Sequence, residues 1–71
     1  MTRRFEFVGG SSAKFWEIQV AGKDVTVLYG RLGTDGQSQT KSFASESKAQ
    51  NHAEKTIASK LAKDYQECTA V

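Results

Sequence analysis

The chain has 71 residues, no proline, a single cysteine and a formal net charge of +2. That length allows one domain with a small core, the lone cysteine excludes an internal disulfide framework, and no apolar run approaches the roughly 20 residues of a membrane span. A lone thiol and no evident signal peptide lead us to expect a reducing, cytoplasmic setting and no membrane partner, while the spread, mildly basic charge permits nucleic-acid binding without arguing for it.

Thr2 to Val8 alternates, with Phe5 and Phe7 on one side and Arg4 and Glu6 on the other, which predicts a half-buried strand. Gly9-Gly10-Ser11-Ser12 predicts a loop. Lys14 to Ala21 predicts a second strand with Trp16, Ile18 and Val20 on its apolar face and Phe15 on the opposite face beside Glu17 and Gln19. Gly22-Lys23-Asp24 is a short turn, so the second and third strands should form a hairpin.

The third strand, from Val25 to Arg31, carries Val25, Val27 and Tyr29 on its core side. Glycines at 30, 33 and 36 follow, and Asp35-Gly36 is a two-residue hairpin signal. These glycines precede a strand and not a helix N-terminus, so they predict tight turns with positive φ and not a phosphate cradle. Gln37 to Phe43 is a polar fourth strand, expected at an edge, with Phe43 as its anchor. The period then changes: Ala49, Ala53, Ile57, Leu61 and Tyr65 recur every four residues, which predicts a helix of about five turns with Ser45 or Ser47 as its cap. Leu61 is counted in the expected core, and its truncation to alanine is expected to cost about 2–5 kcal/mol.

These elements predict an α+β fold: a four-stranded antiparallel β-meander with one C-terminal α-helix packed on one face. Residues 1–71 form a single domain with its core at about 3–67, and Cys68 falls in a short C-terminal tail, 68–71.

No enzyme is expected. The one histidine, His52, lies on the helix away from the one cysteine, so neither a metal site nor a nucleophile–base pair has enough candidates. Glu6 and Glu17 could face each other across the sheet, but nothing marks a pocket between them. No cofactor is expected. The binding candidates are Trp16, Phe15, Tyr29, Arg31 and Lys41, because aromatic faces beside cations can stack on bases or sugars and hold phosphate. Trp16 and Tyr29 also fit a core role. An ion pair from Arg31 to Asp24, Asp35 or Glu17 and a reach toward a partner both fit its position.

Tyr29-Gly30-Arg31-Leu32-Gly33-Thr34-Asp35-Gly36-Gln37, followed by Lys41-Ser42-Phe43, resembles the signature of the WGR domain family, named for a Trp-Gly-Arg tripeptide. The upstream Lys14-Phe15-Trp16-Glu17-Ile18 and the downstream helix resemble the family as well. The family's tryptophan is Tyr29 here, which keeps a flat amphipathic ring of smaller area. In this the chain is similar to short, stand-alone bacterial members and to molybdate-metabolism-regulator-like proteins.

In poly(ADP-ribose) polymerases the family's domain touches DNA near a strand break. Its tryptophan packs on the terminal sugar, and its arginine makes interdomain contacts. The resemblance implies that Tyr29 stacks and Arg31 contacts a partner or relays binding. The expected function is a non-catalytic nucleic-acid-binding module, for DNA ends or irregular DNA more than RNA. Tyr29, Gly30, Arg31, Lys41, Trp16, Lys14 and Arg4 form its surface, with Arg3 as a further phosphate contact, and the chain is expected to be a monomer. The alternative is a protein–protein interaction module using the same surface.

Overall fold

Alternating apolar residues give the first three strands one face for the core, and the computed structural model describes residues 2–68. Four strands, β1 (Thr2–Gly9), β2 (Ser12–Ala21), β3 (Asp24–Arg31) and β4 (Gln37–Ser42), precede the helix α1 (Glu46–Ala62), and a short β5 (Gln66–Cys68) follows it. All pairings are antiparallel, in the order β4-β3-β2-β1-β5. The meander and its packed helix match the α+β expectation, but the sheet has five strands and not four.

The extra strand shows no apolar alternation in Gln66-Glu67-Cys68, so backbone pairing to β1 and one ion pair define it. Glu67 accepts from Arg3 at 2.7 and 2.6 Å. These hydrogen bonds hold the Glu67 carboxyl below the usual carboxylate range. The pairing therefore favours the folded state at neutral pH and loses its effect as pH falls through the lowered Glu67 value. Cys68 lies opposite Arg4 in this strand and not in a tail; the rest of the expected tail, 69–71, falls outside the described residues.

Gly10 and Gly22 start the two tight hairpin turns at φ 58° and 61°, where a side chain would be strained. The β3–β4 connection is different. Tyr29 and Gln37 are its last opposed pair, so the chain loops out from Gly30 to Gly36, and Asp35-Gly36 is not a two-residue turn. Leu32 N–H donates to Ala13 O at 3.0 Å, which keeps β3 on β2 after β4 has left it.

Ser45 caps α1 by accepting from Lys48 N–H at 3.2 Å. The helix lays Ala49, Ala53 and Ile57 on Phe5, Trp16, Ile18, Val20 and Val25, while Val27, Tyr29, Phe43 and Tyr65 pack around that core. It stops at Ala62, short of the expected Tyr65. Asp64 turns the chain with a left-handed φ of 70°. Asp64 N–H then donates to Leu61 O and Tyr65 N–H to Lys60 O, both at 3.2 Å, the paired bonds of a Schellman end. Leu61, in the last turn of α1, is 47% exposed, so the expectation that it is core is corrected: each four-residue step drifts about 40° around a 3.6-residue helix, away from the face set by Ala49, Ala53 and Ile57.

Ile57→Ala is expected to cost about 2–5 kcal/mol, whereas Leu61→Ala should cost less than about 1 kcal/mol. Urea melts of the two variants measure this directly, and equal losses would contradict the packing described.

Candidate nucleic-acid interface

Two cross-strand rows make the open end of the helix-covered face. One row is Phe7–Lys14–Arg31 and the next is Phe5–Trp16–Tyr29–Gln37. The end of α1 comes down over them. Lys60 Nζ lies 5.5 Å from the Trp16 ring centre and 5.2 Å from that of Tyr65. Tyr65 in turn packs on Phe7 at 5.6 Å, and Lys14 Nζ lies 5.5 Å from the Phe7 ring centre. Cations and aromatic rings thus alternate around a cleft of about 360 Å³.

Tyr29 stands at the boundary of three hollows: this cleft, a groove of about 610 Å³ between α1 and β3–β4, and a shallow one beside the Gly33–Gly36 loop. Lys14, Arg31, Lys41 and Lys60 line them, and no carboxylate lines any of the three. The ion pairs among the described residues lie elsewhere, as Arg3–Glu67, Arg4–Glu6 and Arg4–Glu17. Arg31 is exposed and makes none of the ion pairs allowed by sequence. Glu17 faces the other side with Arg4, and Asp24, at the far end of β3, accepts from Ser42 instead. Lys60 is held below the ordinary lysine value, first by partial burial and then by the charges of Lys63 and Lys14. Lys14, Arg31, Lys41 and Lys60 thus gather around these hollows with no ion pair among the described residues.

Seen residue by residue, Tyr29, Arg31, Lys14 and Trp16 meet at one end of this face, and Lys41 stands on the outer wall of the groove. Trp16 is only 4% exposed and serves as a buried wall. Tyr29 is half-buried, with its hydroxyl 3.5 Å from the Gln37 side-chain oxygen. Arg4 is not brought to this surface. It lies on the opposite face, where its guanidinium carbon is 4.6 Å from the Phe15 ring centre. Arg3 is occupied by Glu67. Lys60 and Tyr65 were missed as site residues because their helical spacing suggested dipole and core roles. The available signal was His52, Thr56 and Lys60, a second four-residue stripe beside Ala49, Ala53 and Ile57.

Gly30 acts through Phe15. Its φ is not positive, contrary to expectation; its side-chain direction is filled. A Cβ there would lie 2.9 Å from Gly36 Cα and 3.6 Å from the Phe15 ring. At Gly36, with φ 75°, a Cβ would meet Tyr29 O at 2.6 Å and Phe15 Cζ at 2.7 Å. Phe15, 3% exposed, is thus clamped between strand and loop on the outer face, and the clamp fixes the backbone that carries Tyr29 and Arg31.

The fold and this surface define a small α+β module with a cationic, aromatic end. Its family is the WGR domain family: the family model matches residues 1–70, and the chain belongs to it. That family is non-catalytic and of nucleic-acid-binding type. Two proteins of Escherichia coli are similar. YfeS, described as an uncharacterized protein, is 42% identical over 67 residues, covering 94% of this chain and 28% of YfeS. YehF is 37% identical over 65 residues, covering 92% of this chain and 24% of YehF. A crystal structure of a Bacteroides fragilis protein matches at 51% identity with a TM-score of 0.94, covering 97% of this chain and 20% of that one. The chain therefore spans about a quarter of the length of the curated relatives it matches.

Among the described residues, no three His, Cys, Asp or Glu side chains are grouped to hold a metal ion, and no helix is long and apolar enough to cross a membrane.

Gly33→Ala and Gly36→Ala both place a side chain at positive φ, but only at Gly36 does the added carbon strike neighbours. Each is expected to destabilise by about 1 kcal/mol or more, with Gly36→Ala the costlier in thermal melts. Lys14→Gln should move the Lys60 pKa upward, because one of the charges that depress it is removed; NMR titration of the lysine side chains reads this shift.

Proposed function

We propose that the chain is a non-catalytic nucleic-acid-binding module for DNA ends or irregular DNA, acting through the end of the sheet that carries Tyr29 and Arg31. One observation carries the reading: four cations, Lys14, Arg31, Lys41 and Lys60, line three adjoining hollows that contain no carboxylate. Phosphates supply the missing negative charge, so the cations hold the backbone and set position without reading sequence. Tyr29, between the hollows, offers a half-buried ring against which a sugar or base at an end can pack. A continuous duplex presents stacked bases and no free sugar face; an end or a break presents both. Family membership supports the same reading.

Binding through three or four phosphates should weaken about 40- to 150-fold when salt rises from about 50 to 200 mM. Titration of the chain with blunt, nicked and closed circular DNA at both concentrations tests this, with nicked and blunt DNA expected to bind better than closed circles. Arg31→Gln should lower affinity and leave the melt unchanged, since the side chain is exposed and unpaired among the described residues. No binding at low salt, or binding indifferent to salt, would reject the reading in favour of a protein-docking role for this surface.

A further inference from the structure

The groove between α1 and β3–β4 is not needed to hold a phosphate backbone, yet it opens beside the cationic cleft. Its floor is Val25 and Val27, with the Tyr29 ring at one end. One wall is the helical stripe His52, Thr56 and Lys60. The other is edge strand β4, where Gln39 stands opposite Val27 and Lys41 opposite Val25. Trp16, Tyr29 and Lys60 line both the groove and the cationic cleft, so the two spaces adjoin.

We propose that this groove receives one unpaired nucleobase from a DNA strand whose phosphates occupy the cationic cleft. The inference rests on the nucleic-acid reading and deepens it, because it makes an unpaired nucleotide at an end the recognised feature. The shape and chemistry agree. A nucleobase has two apolar faces and a polar edge; the groove has an apolar floor, an aromatic end and polar groups along its rim. The Gln39 amide can donate and accept, and the Thr56 hydroxyl, which donates to His52 O at 2.8 Å, still has room to accept. Lys41 and Lys60 flank the groove, and its lining holds no carboxylate, so an anionic strand is the occupant its charge matches. At about 610 Å³ the groove falls in the usual range of small-ligand sites. A base still stacked in a duplex cannot enter it.

The test compares two duplexes of equal charge, each with one unpaired nucleotide at an end. One overhang carries adenine, and the other is abasic. Binding is read by fluorescence anisotropy and by the emission of Trp16, the only tryptophan in the chain and a residue that lines the groove. The adenine overhang should bind about tenfold more tightly than the abasic one and should change Trp16 emission more at saturation. Thr56→Phe and Gln39→Phe, on opposite walls, should each fill the groove and erase the difference while leaving abasic binding intact. Gln39 is exposed on an edge strand, so its variant keeps the comparison available if the helical one folds poorly. Equal affinity for the two overhangs, with DNA still bound, would overturn the base site and leave the DNA-binding reading standing. A difference that persists in both folded variants would also overturn it, and no binding to either duplex would remove both readings together.

Discussion

The seating of one narrow helical stripe on the middle of the sheet governs the rest of the molecule. Ala49, Ala53 and Ile57 form that stripe, and two of the three are alanines, so α1 lies close over Trp16, Ile18 and Val20. A stripe this narrow covers the centre of the sheet and little beyond it. The β3–β4 half is left partly open, which is why Val27 and Tyr29 are only half-buried although they alternate with the same period as the buried residues. The open groove and the position of Lys60 at the sheet end are both products of that seating.

The two faces of the sheet are organised by different chemistry. Hydrophobic burial dominates beneath the helix. On the other face, Phe15 fills the space that Gly30 and Gly36 leave empty, Arg4 lies over its ring, and Glu6 and Glu17 pair with Arg4. Glu6 and Glu17 belong to that outer network, and Glu46 and Glu54 line a separate hollow beside α1, while Asp35 and Asp64 stand exposed in loops and line none of the hollows around Tyr29. The segregation leaves the Tyr29 end without a carboxylate lining. A modest net charge therefore conceals hollows whose charged lining is all of one sign, and composition alone gives no view of it.

Much of the fold was legible because alternation and the four-residue period are strong local signals. They identified β1 to β4 and the helix, and of the two serines offered as its cap the structure uses Ser45. What failed was decided by contacts distant in sequence. β5 has no pattern of its own and exists through pairing with β1. Leu61 continues the four-residue period, but that period drifts around the helix and carries Leu61 off the sheet-facing stripe. Gly30 looked like a turn residue, and its requirement comes from Phe15 across the strands and Gly36 across the loop. At the site, the Tyr-Gly-Arg stretch was visible, whereas the gathering of Lys60 and Tyr65 depended on where the helix ends.

That early helix stop has a geometric consequence for how the module can be carried. It returns the chain to the outer side of β1, and Cys68 then runs antiparallel to β1 toward the end where Thr2 begins. The first and last described residues thus sit near one another along the β1 edge of the sheet, Cys68 level with Arg4 and two residue steps from Thr2, while Tyr29 and Arg31 lie two strands away on β3. A polypeptide can enter and leave through a narrow neck there, so the domain suits insertion into a host chain or circular permutation with a short bridging linker.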